Sequence, residues 1–95
     1  MMPKIAFTLY GRSYCHLCDD LFRALLTLCE VEKANGSFHG EFNITQVDVD
    51  SEAGLIALYD ELVPVLIGTK AGQVPVQLCH YFLDVARVKV FLTTR

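Results

Sequence analysis

Two thiols three residues apart, Cys15 and Cys18, stand in the run Cys15-His16-Leu17-Cys18. Cysteines one helical turn apart can close a small disulfide ring at little backbone cost, as a dithiol–disulfide redox site requires. The same pair can supply half of a zinc site, or be two core residues without chemistry. Context favours redox chemistry. An apolar run, Ile5 to Tyr10, precedes the pair, and a helical pattern, Asp19 to Glu32, follows it, so Cys15 falls at a strand-to-helix junction. There the positive end of the helix and its unpaired N–H groups favour a thiolate, the species that attacks disulfides. Cys15 is therefore expected to be alkylated ahead of the other cysteines, with Asp19 and Asp20 partly opposing its charge. His16 either supports that thiolate when protonated or is a solvent-facing spacer.

The elements that must hold this pair follow from pattern. Lys4 to Tyr10 reads as a buried strand ending at Gly11, and Gly11-Arg12-Ser13-Tyr14 as the loop that delivers Cys15. Asp19 to Glu32 alternates polar and apolar positions at helical spacing, with Cys29 on the apolar side as a core thiol. Lys33 to Glu41 is a loop and Phe42 to Val49 a second strand. Asp50 or Ser51 is the expected cap of a short helix carrying Leu55, Ile56, Leu58, Tyr59 and Leu62. Val63 to Gly68 is a third strand opened by proline, and Lys70-Ala71-Gly72 a turn. Gln73 to Leu78 is a fourth strand, which Pro75 should make an edge or bulged strand. Phe82 to Leu92 carries both a helical face (Val85, Val88, Phe91, Leu92) and a strand-like alternation (Arg87 to Val90), and helix is the reading taken. The order is β-α-β-α-β-β-α. A strand–helix–strand unit implies parallel pairing through a right-handed crossover, and the closing hairpin adds an antiparallel part. The fold is expected to be α/β, a mixed four-stranded sheet with helices on both faces, as one domain over residues 1–95.

Composition removes other classes. Of the 95 residues, 53% are hydrophobic, which suits a packed core rather than disorder. The net charge of -3 and the scattered basic residues offer no footprint for nucleic acid or an anionic membrane. No apolar run approaches the ~18 residues that span a bilayer. The first residues lead straight into a strand pattern without a signal-peptide cleavage site. Four cysteines need no disulfide scaffold at this size, so a cytoplasmic monomer is expected.

The segment from Leu9 to Cys18, together with Val63-Pro64-Val65-Leu66, resembles the glutaredoxins of the thioredoxin-like superfamily. The likeness covers nearly the whole chain and is strongest to small bacterial glutaredoxin-like domains with C-x-L-C and VPVL motifs. It implies a thioredoxin-like fold of glutaredoxin type, with Cys15 as nucleophile and Cys18 as the thiol that resolves the mixed disulfide. It also implies a substrate groove built from Arg12, Tyr14, Val63 and Pro64. The Val63–Pro64 bond is then expected cis and Val74–Pro75 trans. The sequence departs from the family in three places. His16-Leu17 replace Pro-Tyr, Asp19 and Asp20 replace basic residues, and Cys79 to Asp84 stand where a glycine-pair turn would receive glutathione. The expected activity is thiol–disulfide exchange on protein or glutathione mixed disulfides, with no bound cofactor and glutathione as a weakly held co-substrate. Two alternatives stay open. One is a metal or iron–sulfur module in which Cys79 or His80 completes the ligands, and the other is a non-catalytic binding scaffold.

Overall fold

The computed structural model describes residues 4–13, 15–38, 40–59 and 61–94. The elements are β1 (Lys4–Gly11), α1 (His16–Ala34), β2 (Glu41–Asp48), a 3₁₀ turn (Val49–Ser51), α2 (Ala53–Tyr59), β3 (Val65–Lys70), β4 (Val76–His80) and α3 (Val85–Thr93). The sheet order is β2-β1-β3-β4. β1 and β2 run parallel, from Lys4 opposite Glu41 to Gly11 opposite Asp48. β3 is antiparallel to β1 and to β4, with a bulge at Leu66/Ile67.

Two helical stripes cover one face. Alternation along β1 sends Ile5, Phe7 and Leu9 into the core. Leu21, Leu25 and Cys29 of α1 and Val88 and Leu92 of α3 recur every four residues and join the same cluster, with Phe38, Leu66 and Leu78. α2 belongs to the other face. Its Tyr59 stacks on Tyr10, which alternates with Leu9, at 4.7 Å between ring centroids. The mixed sheet with helices on both faces is thus as expected. At the sheet centre Gly68 leaves room for the Phe91 ring, 2.7 Å from where a Cβ would stand. The buried Glu32 of α1 meets Lys89 of α3 at 3.6 Å.

Several boundaries differ from the pattern reading. α1 begins three residues earlier than its polar stripe suggested, because Cys15 itself is the N-cap. β4 starts after Pro75 rather than at Gln73. Proline has no N–H for the ladder, and residues 70–73 form a turn closed by the Gln73 N–H on the Lys70 carbonyl, with Gly72 at φ 76°. Neither Asp50 nor Ser51 caps α2. The Asp48 carboxylate accepts the Asp50 N–H at 2.9 Å to cap the 3₁₀ turn, and the Glu52 carbonyl takes the first N–H groups of α2. The ambiguous last segment is a helix, opened by the Asp84 carboxylate accepting the Arg87 N–H at 3.0 Å.

Candidate active site

β1 ends at Gly11, and the chain turns so that the Cys15 N–H donates to the Arg12 carbonyl at 3.3 Å. Cys15 then has extended backbone angles (φ -104°, ψ 112°) and caps α1. Its Sγ accepts the Cys18 N–H at 3.2 Å. A sulfur here does what a serine or aspartate oxygen usually does at a helix start, and the positive end of the helix faces it. Cys15 is half-buried and Cys18 only 6% exposed, and both are free thiols. Burial, then a hydrogen bond to the Cys15 side chain, pushes the Cys18 thiol up to about 11, against a smaller opposing pull from the Arg12 backbone. The two sulfurs are therefore unequal: one sits at an electropositive helix end with access to solvent, and the other is kept protonated behind it.

The sheet register brings the second motif to the same place. Val65 pairs with Tyr10, so Pro64 arrives beside Gly11. The Val63–Pro64 bond is cis. Pro64 is buried, and its carbonyl accepts the Tyr81 N–H at 2.8 Å. Val63 is half-buried, with its N–H committed to the Tyr59 carbonyl at 3.1 Å. Arg12 is one of the groove residues that the resemblance implies. In the structure its Nε donates to both carboxylate oxygens of Asp50, at 3.3 and 3.2 Å, which ties the loop before Cys15 to the turn after β2. Tyr14 lies outside the described residues.

Cys79 is not drawn to the dithiol. It pairs with Leu66, packs against the core, and has its thiol pushed up chiefly by burial. Leu66 in turn pairs with Leu9, so Cys79 stands two strands, on the order of 10 Å, across the sheet from the site strand. Among the described residues no three His, Cys, Asp or Glu side chains are grouped to hold a metal ion. No helix among them is long and apolar enough to cross a membrane.

Two features escaped the sequence. Tyr81 adopts φ 65°, a left-handed conformation that costs a non-glycine residue roughly 1–2 kcal/mol. It is held there by the bond to Pro64 and by its hydroxyl donating to the Glu61 carbonyl. A cavity of about 280 Å³ also opens beside Cys18, between β1, β2 and the first turn of α1, with Leu9 and Gly11 among its walls and Asp19, Gln46 and Asp48 as polar lining. Gln46 and Asp48 carry no motif. Only the parallel register, which sets Asp48 opposite Gly11, signals them.

Residues 6–93 match the family model of the glutaredoxin-like domain (DUF836). A Nitrosomonas europaea protein solved by NMR is 29% identical, with 97% of this chain and 93% of its own covered at a TM-score of 0.72. An X. campestris protein solved by X-ray diffraction is 27% identical, covering 94% of this chain and 97% of its own at a TM-score of 0.60. A chloroplastic thioredoxin z is 17% identical over 94% of this chain and 75% of its own, at a TM-score of 0.63. No curated protein matches significantly. Together these neighbours place the chain among the thioredoxin-like folds.

Proposed function

The chain belongs to the glutaredoxin-like domain family, and from that premise we propose that it is a thiol–disulfide oxidoreductase working through Cys15 and Cys18. The observation that carries this reading is the unequal pair: Cys15 Sγ capping α1 with the Cys18 N–H upon it, and the Cys18 thiol buried beside it. The Cys15 thiolate attacks a substrate disulfide, forming a mixed disulfide and releasing one substrate thiol. Cys18 then displaces the other, leaving the Cys15–Cys18 disulfide oxidised and the substrate reduced. An external thiol restores the dithiol. Pro64, which the register sets beside Gly11, and Val63 are assigned to the substrate groove, where the Val63 backbone would pair strand-like with an extended substrate. Tyr14 is assigned to the same groove by its place in the sequence.

A disulfide-bearing protein segment suits this site better than glutathione. Glutathione brings two carboxylates, whereas Asp19 and Asp20 follow the pair and Arg12 is engaged by Asp50. Glutathione therefore serves as a weakly held co-substrate that forms a mixed disulfide at Cys15. A reducing compartment, the cytoplasm, is where such a dithiol would work. Cys18→Ser should trap the Cys15–glutathione adduct in intact-protein mass spectra, and Cys15→Ser should abolish it. Turnover of a glutathionylated peptide should be slow beside an ordinary glutaredoxin. An adduct that persists in Cys15→Ser removes the nucleophile assignment, and matching turnover makes glutathione the natural partner.

A further inference from the structure

Gly11 closes β1, buried and opposite Asp48. Its backbone does not require glycine, because the glycines at positive φ are Gly36 and Gly72. What excludes a side chain is space. A Cβ at Gly11 would stand 2.7 Å from Cys18 Sγ and 3.1 Å from Cys18 Cβ, well inside the ~3.5–4.0 Å of comfortable contact. Gly54, by contrast, has nothing within 4 Å of such a Cβ.

Cys18 cannot retreat as a whole. Its amide is held by Cys15 Sγ, and the next turns of α1 anchor Leu21 and Leu25 in the core. Rotation about χ1 is the soft coordinate. In a helix one of the three staggered wells is closed by the preceding turn. In the position it occupies, the Cys18 sulfur rests on Gly11, and the same residue's N–H is donated to Cys15 Sγ. A methyl on Gly11 would occupy that position, so the sulfur would have to rotate out of it.

We infer that Gly11 is a positioning residue of the dithiol, its missing side chain forming the seat that keeps Cys18 Sγ within reach of Cys15. This rests on the dithiol exchange proposed above. In the step concerned, Cys18 sulfur bonds to Cys15 sulfur as the bond from Cys15 to the substrate sulfur breaks. The Cys18 proton passes to solvent and the departing thiolate takes one up. The cysteine pair is oxidised and the substrate sulfur reduced.

The test compares Gly11→Ala with Gly54→Ala, using glutathione disulfide as probe. Iodoacetamide should alkylate Cys15 within about twofold of the parent rate in both variants, since Cys15 is untouched. In Gly11→Ala alone, resolution of the Cys15–glutathione adduct by Cys18 should slow by about tenfold or more. The equilibrium constant for forming the internal disulfide should fall by a similar factor, about 30 mV for a tenfold change. Parental resolution and equilibrium in Gly11→Ala overturn the inference. Stability gives a second arm. Gly11→Ala should lower the melting temperature less in a Cys18→Ala background, where the sulfur is gone. Equal loss, or failure to fold, in both backgrounds assigns Gly11 an ordinary packing role and overturns the seat. A parent protein whose Cys15 and Cys18 never pair refutes the dithiol reading itself, and the seat falls with it. Pairing that is alike in parent and variant removes only the seat.

Discussion

Burial pushes the Cys18 and Cys29 thiols from the ordinary 9.0 up to about 11. At neutral pH both are protonated and shielded, so iodoacetamide should label Cys15 first, with Cys18, Cys29 and Cys79 much slower. Site-resolved mass spectrometry reads this directly, and equal labelling of all four would remove the case for a distinct nucleophile. The same shifts have a sign for stability. A thiol whose folded value lies above its unfolded value stabilises the fold fully below the unfolded value, and loses that contribution as pH climbs through the folded one. Urea unfolding should therefore show stability declining between pH 9.0 and about 11. Cys29→Ala should make that decline shallower while lowering stability at neutral pH through the cavity it leaves. An unchanged alkaline slope in Cys29→Ala would exclude Cys29 as its source.

The elements were legible where one period dominated. β1 and α1 each present a single pattern, and the cysteine pair falls at their junction as those patterns set it. Where two periods overlapped, packing decided. Val85 and Val90 are exposed while Val88 and Leu92 are buried, so the β-branched run says little, and the Asp84 cap with the four-residue spacing makes α3 a helix. Asp84→Ala should cost about 1 kcal/mol, as loss of an N-cap usually does. Gly68→Ala should cost more, about 1–3 kcal/mol, because its Cβ would press on both Phe91 and Leu78. Denaturant titration of both variants checks the order, and a neutral Gly68→Ala would mean that Phe91 can yield. Arg12 shows what spacing alone does not carry. Its partner Asp50 is remote in sequence and reaches it only because β2 pairs with β1.

Among the described residues, acidic side chains collect at one end of the sheet. Asp19, Asp20, Asp48, Asp50 and Glu52 gather at the end where β1 delivers the dithiol, with Arg12 held by Asp50, whereas at the far end Lys4 lies opposite Glu41, with Lys33 and Lys70 by strand direction. Encounter with Cys15 should thus depend on substrate charge. Cystamine, a dication, should react faster than a dianionic disulfide such as dithiodiglycolate. Raising ionic strength from roughly 0.01 M to roughly 1 M shortens the screening length about tenfold and should shrink the ratio. A ratio independent of salt would locate the preference in contacts rather than field.

Pro75 bears on how copies of this chain meet. β4 is an outer strand, and Val74, Pro75 and Val76 form an exposed apolar run at its start. An outer strand with free backbone groups is a template for joining another chain, and proline blunts it by lacking an N–H. The ring that delays the strand therefore also guards against self-association. Pro75→Val would lengthen the run to three exposed β-formers, and light scattering should then show concentration-dependent assembly under conditions where the parent shows none.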